Sequence, residues 1–189
     1  MKVIGINGSS RKDGNTAIII GKVFEELNKE SIETELIQLA DYEIQPCRGC
    51  FACKGRGNCV FAKDGFAKIF SRIVKADGII LGSPVYSADV SAKMKAFLER
   101  GGVVVATNPG LLRHKVGASV AAARRGGGMT TVDTMNHFML NKEMIVVGST
   151  YWNMVYGKNI GDVLGDVGGM ANMRNLGENM AWLLKTVKD

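Results

Sequence analysis

All four cysteines of the chain, Cys47, Cys50, Cys53 and Cys59, fall within thirteen residues in the spacing C-x2-C-x2-C-x5-C. Thiolates are soft metal ligands, and two successive gaps of two residues bring three sulfurs together on one tight loop. The return over Gly55 and Gly57 is supple enough for Cys59 to close the site. Four local thiolates suit one [4Fe-4S] cluster. The run differs from the bacterial C-x2-C-x2-C-x3-C-P pattern in its longer last gap and its lack of Pro. Zinc ranks second, because paired C-x2-C units at a four-thiolate zinc site are usually parted by a spacer that folds into a knuckle, and here they overlap. The remaining alternative is a set of reduced, unmetallated thiols with at most one redox-active pair.

A second stretch could hold an anion. Gly8-Ser9-Ser10-Arg11-Lys12-Asp13-Gly14-Asn15-Thr16 follows a short β-branched strand (2–7) and precedes an apolar-periodic helix (17–28). Backbone N–H groups at that helix start, with Ser9, Ser10, Asn15 and Thr16 as side-chain donors and Arg11 as counter-charge, would hold a monoester phosphate. The dinucleotide pattern G-x-G-x-x-G and the Walker pattern are both absent, which disfavours a resident NAD and an ATP substrate. The competing reading makes Asn15 and Thr16 helix-capping residues and nothing more.

The rest of the chain must position these two loops. Residues 32–39 alternate as an exposed edge strand, and 40–64 carries the cysteines without a strong period, the kind of long insertion that is usually functional. A helix (66–75) then leads to Gly78-Ile79-Ile80-Leu81-Gly82, a continuous apolar run of the sort buried on both faces. Directly after it, Ser83-Pro84-Val85-Tyr86-Ser87 presents a ring and hydroxyls where open parallel sheets bind ligands, at the carboxyl end of a central strand. A helix (92–100) and a fourth strand (115–122) follow, then Arg124-Arg125-Gly126-Gly127-Gly128, Gly-rich enough for backbone to approach a planar ligand. A helix (130–141), a strand (144–148) and a last helix (170–185) complete five β/α units. The Gly-rich stretch 151–169 lacks a period and reads as an excursion for oligomer contacts. His114 and His137 lie outside these loops and receive no role.

At 189 residues the chain reads as a single domain, 1–189, with cysteine loop 46–64, able to bury roughly 70% of its unfolded surface without disulfide staples. No cationic leader with an apolar run and no stretch near the ~18 apolar residues of a membrane helix is present, so the expectation is a cytoplasmic protein with no membrane partner. Its net charge of +6, with cations interleaved among acids, is too small for a nucleic-acid footprint. A four-thiolate cluster and a bound phosphate group would each remove about two charges and bring the loaded protein to roughly +2.

Taken together, Gly8 to Thr16, Pro84-Val85-Tyr86 and Lys95-Ala96-Phe97-Leu98-Glu99-Arg100 resemble the NADPH-dependent FMN reductase superfamily, and the cysteine loop resembles its iron-sulfur flavoprotein branch. The resemblance implies a flavodoxin-like doubly wound α/β fold with a five-stranded parallel sheet in the order 2-1-3-4-5. It further implies FMN, a [4Fe-4S] cluster on Cys47, Cys50, Cys53 and Cys59, a homodimer or homotetramer, and a ferredoxin-like electron donor or NAD(P)H. Two departures stand out. Many relatives have Pro where this chain has Ser10, and a pair of acids where it has Lys63-Asp64, a change that makes the cluster surroundings more positive.

In that strand order the loops after strands 1, 3 and 4 converge on FMN, with Ser9, Ser10, Arg11, Asn15 and Thr16 at its phosphate, Pro84, Val85, Tyr86 and Ser87 at the ring, and Arg124, Arg125 and Gly126 at the pyrimidine edge. The cysteine loop follows strand 2 and is expected to open at the same carboxyl edge, where one-electron and two-electron chemistry could be coupled. The leading function is therefore an electron-transfer oxidoreductase. A cluster-free NAD(P)H-dependent FMN or quinone reductase is the runner-up, and a flavin-binding carrier or sensor is the reading from another class.

Overall fold

A computed structural model of the protein describes residues 1–61 and 63–187, so Ala62 of the cysteine loop and the last two residues lie outside it. The chain alternates strands and helices: β1 (Lys2–Asn7), α1 (Asn15–Lys29), β2 (Glu33–Gln38), α2 (Phe66–Lys75), β3 (Gly78–Pro84), α3 (Ala92–Ala106), β4 (Val116–Ala123), α4 (Gly128–Leu140), β5 (Ile145–Val146), β6 (Met154–Tyr156) and α5 (Val167–Thr186). All pairings in the sheet are parallel, in the order β2-β1-β3-β4-β5. β6 also pairs with β4, at Ala121 to Ala123, while β5 pairs with it at Val116 and Gly117. Since β3 occupies the other side of β4, β5 and β6 share the fifth position as two short pieces.

Alternation along the strands sorts the core into two layers. Ile4, Ile6, Ile79 and Leu81 face α2, α3 and α4, where Phe66 stacks on Phe70 at 5.2 Å and lies 5.4 Å from Phe97. Val3, Ile80, Val116, Ala118 and Val120 face α1 and α5. α1 lies so close to the sheet that a Cβ at Gly82 would stand 2.5 Å from Ile20, which is why β3 carries glycine at that position.

Helix boundaries depart most from the sequence expectation at α3 and α5. α3 runs through Gly101 and Gly102 to Ala106, because Gly101 sits where Phe70 and Phe138 close over the helix and tertiary packing outweighs the glycine penalty. α5 begins at Val167, capped by Asp166, whose side chain accepts the Gly169 amide. Within 151–169, β6 and a 3-10 turn (Asp162–Gly165) form before that cap. The expected strand 144–148 forms only as β5, Ile145–Val146, and β6, three residues long, leaves too little alternation to be read as a period-2 segment.

α3 starts at the carboxyl edge of the sheet, and Ser91 fixes that start. Its hydroxyl donates to the Gly8 carbonyl at 2.6 Å and accepts the Met94 amide at 3.3 Å. Ser91→Ala is expected to cost about 1–2 kcal/mol, the usual worth of such a cap, as a lowered urea midpoint with unchanged slope. No helix among the described residues is long and apolar enough to cross a membrane.

Candidate functional site

The turn from β1 into α1 is held by a chain of short bonds. The Gly8 amide donates to Gly82 O at 2.8 Å, the Ser9 amide to Asn7 Oδ1 at 2.9 Å, and the Arg11 amide to Ser9 Oγ at 3.1 Å. Gln38 Nε2 donates to the Ser9 carbonyl. The helix ladder opens with the Ile18 amide on Gly14 O at 3.1 Å, so the amides of Asn15, Thr16 and Ala17 have no intrahelical acceptor and carry the positive end of the helix dipole. Gly14 is the N-cap and makes no side-chain bond, so Asn15 and Thr16 are not capping residues but the first two residues of the helix.

A cleft of about 230 Å³ opens there, lined by Ser9, Arg11, Asn15, Thr16, Pro84, Val85, Tyr86 and Arg124. Gly14, Ala122, Gly157 and Lys158 complete it, so three cations and no carboxylate line the space, which suits an anion. Four residues of the sequence reading lie outside that lining. Ser10 Oγ sits 3.4 Å from Tyr86 OH. Ser87 has φ 49° at the tip of a turn closed by the Tyr86–Asp89 bridge. Arg125 is exposed, and Gly126 opens instead onto a neighbouring cleft of about 610 Å³ with Tyr151, Trp152 and Tyr156.

Asn15 plays a part its residue type did not announce. Its Nδ2 donates to Asn159 O and its Oδ1 accepts the Gly161 amide, both at 2.8 Å, which leashes the loop after β6 to the start of α1. Gly157 is forced by this leash, since a Cβ there would meet Val163 N at 2.7 Å and Asn15 Nδ2 at 2.9 Å. Gly157 and Lys158 escaped sequence reasoning because they follow a three-residue strand.

The four cysteines, all free thiols, line one small, mainly apolar pocket of about 30 Å³ with Phe51, Val60, Phe61, Val103 and Val104, and Arg48 and Arg100 also face it. Cys53 is buried, whereas Cys50 is exposed. Three sulfurs have polar neighbours: the Gly49 amide donates to Cys47 Sγ at 3.4 Å, Arg100 Nε to Cys59 Sγ at 3.2 Å, and Cys53 Sγ lies 3.3 Å from Thr107 Oγ1. Among the described residues no three His, Cys, Asp or Glu side chains close on a point that one metal ion could occupy. Thiolates that each bind a different iron of one cluster need not converge in that way, and N–H donors to sulfur are what such a cluster uses.

α3 holds this loop along its length. Asn108 donates to Cys53 O at 3.0 Å and accepts the Gly57 amide at 2.9 Å, while Arg100 reaches the carbonyls of Gln45 and Phe61 on either side of the cysteines. Because α3 descends from the carboxyl edge, Arg100 lies about 13 Å below Ser91 at 1.5 Å per residue. The cysteine pocket therefore sits on the flank of the sheet and shares no lining residue with the cleft at the start of α1. The expectation of a common edge is corrected: the loop follows β2, but its bonds to the middle and end of α3 draw it down.

Sequence reading missed what Arg100 does, although a signal was present. It occupies the apolar stripe of α3 with Phe97, Gly101 and Val104, and a charge at such a position demands a partner. The partner is Asp64, at 2.5 Å, with both side chains 2% exposed. Burial pushes the Asp64 carboxyl up, but the Gln45 and Phe66 amides and the Arg100 guanidinium together hold it below the ordinary value of 3.8. A carboxyl lowered by folding contributes stability above its unfolded value and loses it as pH falls through the folded one. Acid is therefore expected to loosen the 45–66 segment, read as faster amide exchange there below about pH 4, and Asp64→Asn should flatten that pH dependence.

A doubly wound parallel sheet of this order, with ligand loops at its carboxyl edge, defines the flavodoxin-like class. The chain belongs within it to the NADPH-dependent FMN reductase family, whose pattern matches residues 1–159, and it is an oxidoreductase. It is 42% identical over 195 residues to an iron-sulfur flavoprotein of Methanocaldococcus jannaschii, with both chains covered in full. A second iron-sulfur flavoprotein, from Methanosarcina thermophila, is 37% identical over 150 residues, covering 78% of each chain. In fold the chain is similar to RosB, solved with a bound riboflavin phosphate derivative, at TM-score 0.81 and 18% identity over all of this chain and 80% of that one. It is also similar to an archaeal flavodoxin, at TM-score 0.65 and 16% identity over 98% of this chain and 99% of that one.

Proposed function

We propose that the protein is an FMN-dependent electron-transfer oxidoreductase that couples the flavin to a [4Fe-4S] cluster and takes electrons from a ferredoxin-like donor. The observation that carries this reading is the pair of separate, chemically matched sites: a cationic cleft free of carboxylates at the start of α1, and one apolar pocket lined by every cysteine of the chain. The names of the iron-sulfur flavoprotein relatives support the second half. When bound, FMN supplies two-electron chemistry and the cluster one-electron chemistry.

The chain's own residues do the rest. Arg11, the free amides at the start of α1 and Thr16 hold the phosphate. Pro84, Val85 and Tyr86 border the ring, and Arg124, with Arg125 and the Gly126 backbone beside it, offsets negative charge at its pyrimidine edge. Cys47, Cys50, Cys53 and Cys59 ligate the cluster, and Phe51, Val60 and Phe61 keep water from it. A homodimer or homotetramer in the cytoplasm is part of this proposal, supported by the exposed Tyr151, Trp152, Ile160, Leu164 and Val167.

The test is a visible spectrum of protein purified without oxygen, with mass analysis of the released chromophore and counts of iron and sulfide. FMN with about four irons and four sulfides per chain is the expected result, and FAD or no flavin overturns the flavin assignment. The larger cleft beside Gly126, walled by Tyr151, Trp152 and Tyr156, favours a second reading in which NAD(P)H delivers hydride directly and the thiols stand empty. Flavin without iron, bleached at stopped-flow speed by NADPH, would establish that reading.

A further inference from the structure

We propose that Arg100 is a positioning residue that ties both ends of the cysteine loop and, through its bond to Cys59 Sγ, raises the reduction potential of the cluster; this rests on the cluster reading above. The side chain is 2% exposed and donates from all three of its nitrogens. Nε donates to Cys59 Sγ at 3.2 Å, Nη1 to Asp64 Oδ2 at 2.5 Å and Gln45 O at 3.3 Å, and Nη2 to Phe61 O at 2.7 Å. Its plane packs 4.5 Å from the Phe66 ring and 5.2 Å from that of Phe61. Gln45 precedes the first cysteine and Phe61 follows the last, so one side chain closes the loop and touches a ligand sulfur. A lysine has three donors on a point charge and cannot span these directions at once.

The electronic part follows from charge. Reduction adds one electron and one unit of negative charge beside this guanidinium, and no bond forms or breaks. A cationic N–H donor on a ligand sulfur stabilises that added charge, and hydrogen bonds and net charge are among the determinants of cluster potential. Asp64 bonds a different nitrogen of the guanidinium from the one on the sulfur and offsets part of its charge. The two residues should therefore pull the potential in opposite directions, a signature that a purely structural staple would not give.

The experiment is a potentiometric titration, followed by electron paramagnetic resonance, of protein loaded anaerobically with iron, sulfide and FMN. Arg100→Lys is expected to shift the cluster midpoint negative by a tenfold change in the one-electron equilibrium, 59 mV. Asp64→Asn should shift it positive, with FMN affinity unchanged in both. Shifts of the same sign, or none, in variants with full iron and sulfide overturn the proposal while leaving the cluster reading intact. If both variants lose the cluster, Arg100 only holds the loop and its tuning role is refuted. A wild-type protein that takes up no iron or sulfide refutes the cluster reading and this proposal with it.

Discussion

Replacing any one of Cys47, Cys50, Cys53 or Cys59 with Ala is expected to abolish the stable cluster, seen as loss of the broad absorption beneath the flavin bands and a collapse of iron and sulfide to near zero. The four should act as a unit, because a cluster short of one thiolate is labile and all four side chains wall the same pocket. The apo proteins should not be equal. Cys53 is 6% exposed and packs in the core cluster around Phe66, so Cys53→Ala leaves a small cavity, whereas Cys50 is exposed and its loss leaves none. FMN should stay bound in all four variants, since the phosphate cleft shares no residue with the cysteine pocket. Reduction by a one-electron donor should fall sharply while direct reduction by NADPH survives. Wild-type levels of iron in any single variant would remove that cysteine from the ligand set.

How much of this was legible depended on whether a residue's partner lies near it in sequence. The loop from Gly8 to Thr16 could be read as a candidate anion site because its residues are contiguous and their types suggest that chemistry. The long apolar runs of β1, β3 and β4 declared buried strands for the same reason, each being a local pattern repeated between helices, whereas their order in the sheet came from the family resemblance. Arg100 and Asp64 were opaque, since their separation of 36 positions hides a contact that only the packing of α2 against α3 creates. Asn15 was read as a phosphate donor or a helix cap, and its bonds to the 159–161 loop were hidden, because that loop lies 144 residues away. The descent of the cysteine loop along α3 was hidden in the same way: Thr107 and Asn108, which hold its middle, read locally as an ordinary helix end.

The phosphate cleft supports the second large effect. The double variant Arg11→Ala, Thr16→Val should weaken FMN binding by roughly 10²–10⁴-fold, since each bond to a charged phosphate is worth about 1.5–3 kcal/mol. The two substitutions are chosen to spare the fold. Arg11 is exposed and its side chain carries no cap, while Val keeps the bulk that Thr16, 1% exposed, presses toward Gly82. Neither removes the bonds of Asn15 to the 159–161 loop, so the cleft should keep its shape. The urea midpoint of the apo protein should therefore hardly move, whereas the stabilisation that added FMN gives the wild type should largely vanish, by the mass action of a ligand that binds only the folded state. An apo protein destabilised as much as the holo protein would mean that these residues serve the helix start. An unchanged FMN affinity would place the phosphate elsewhere.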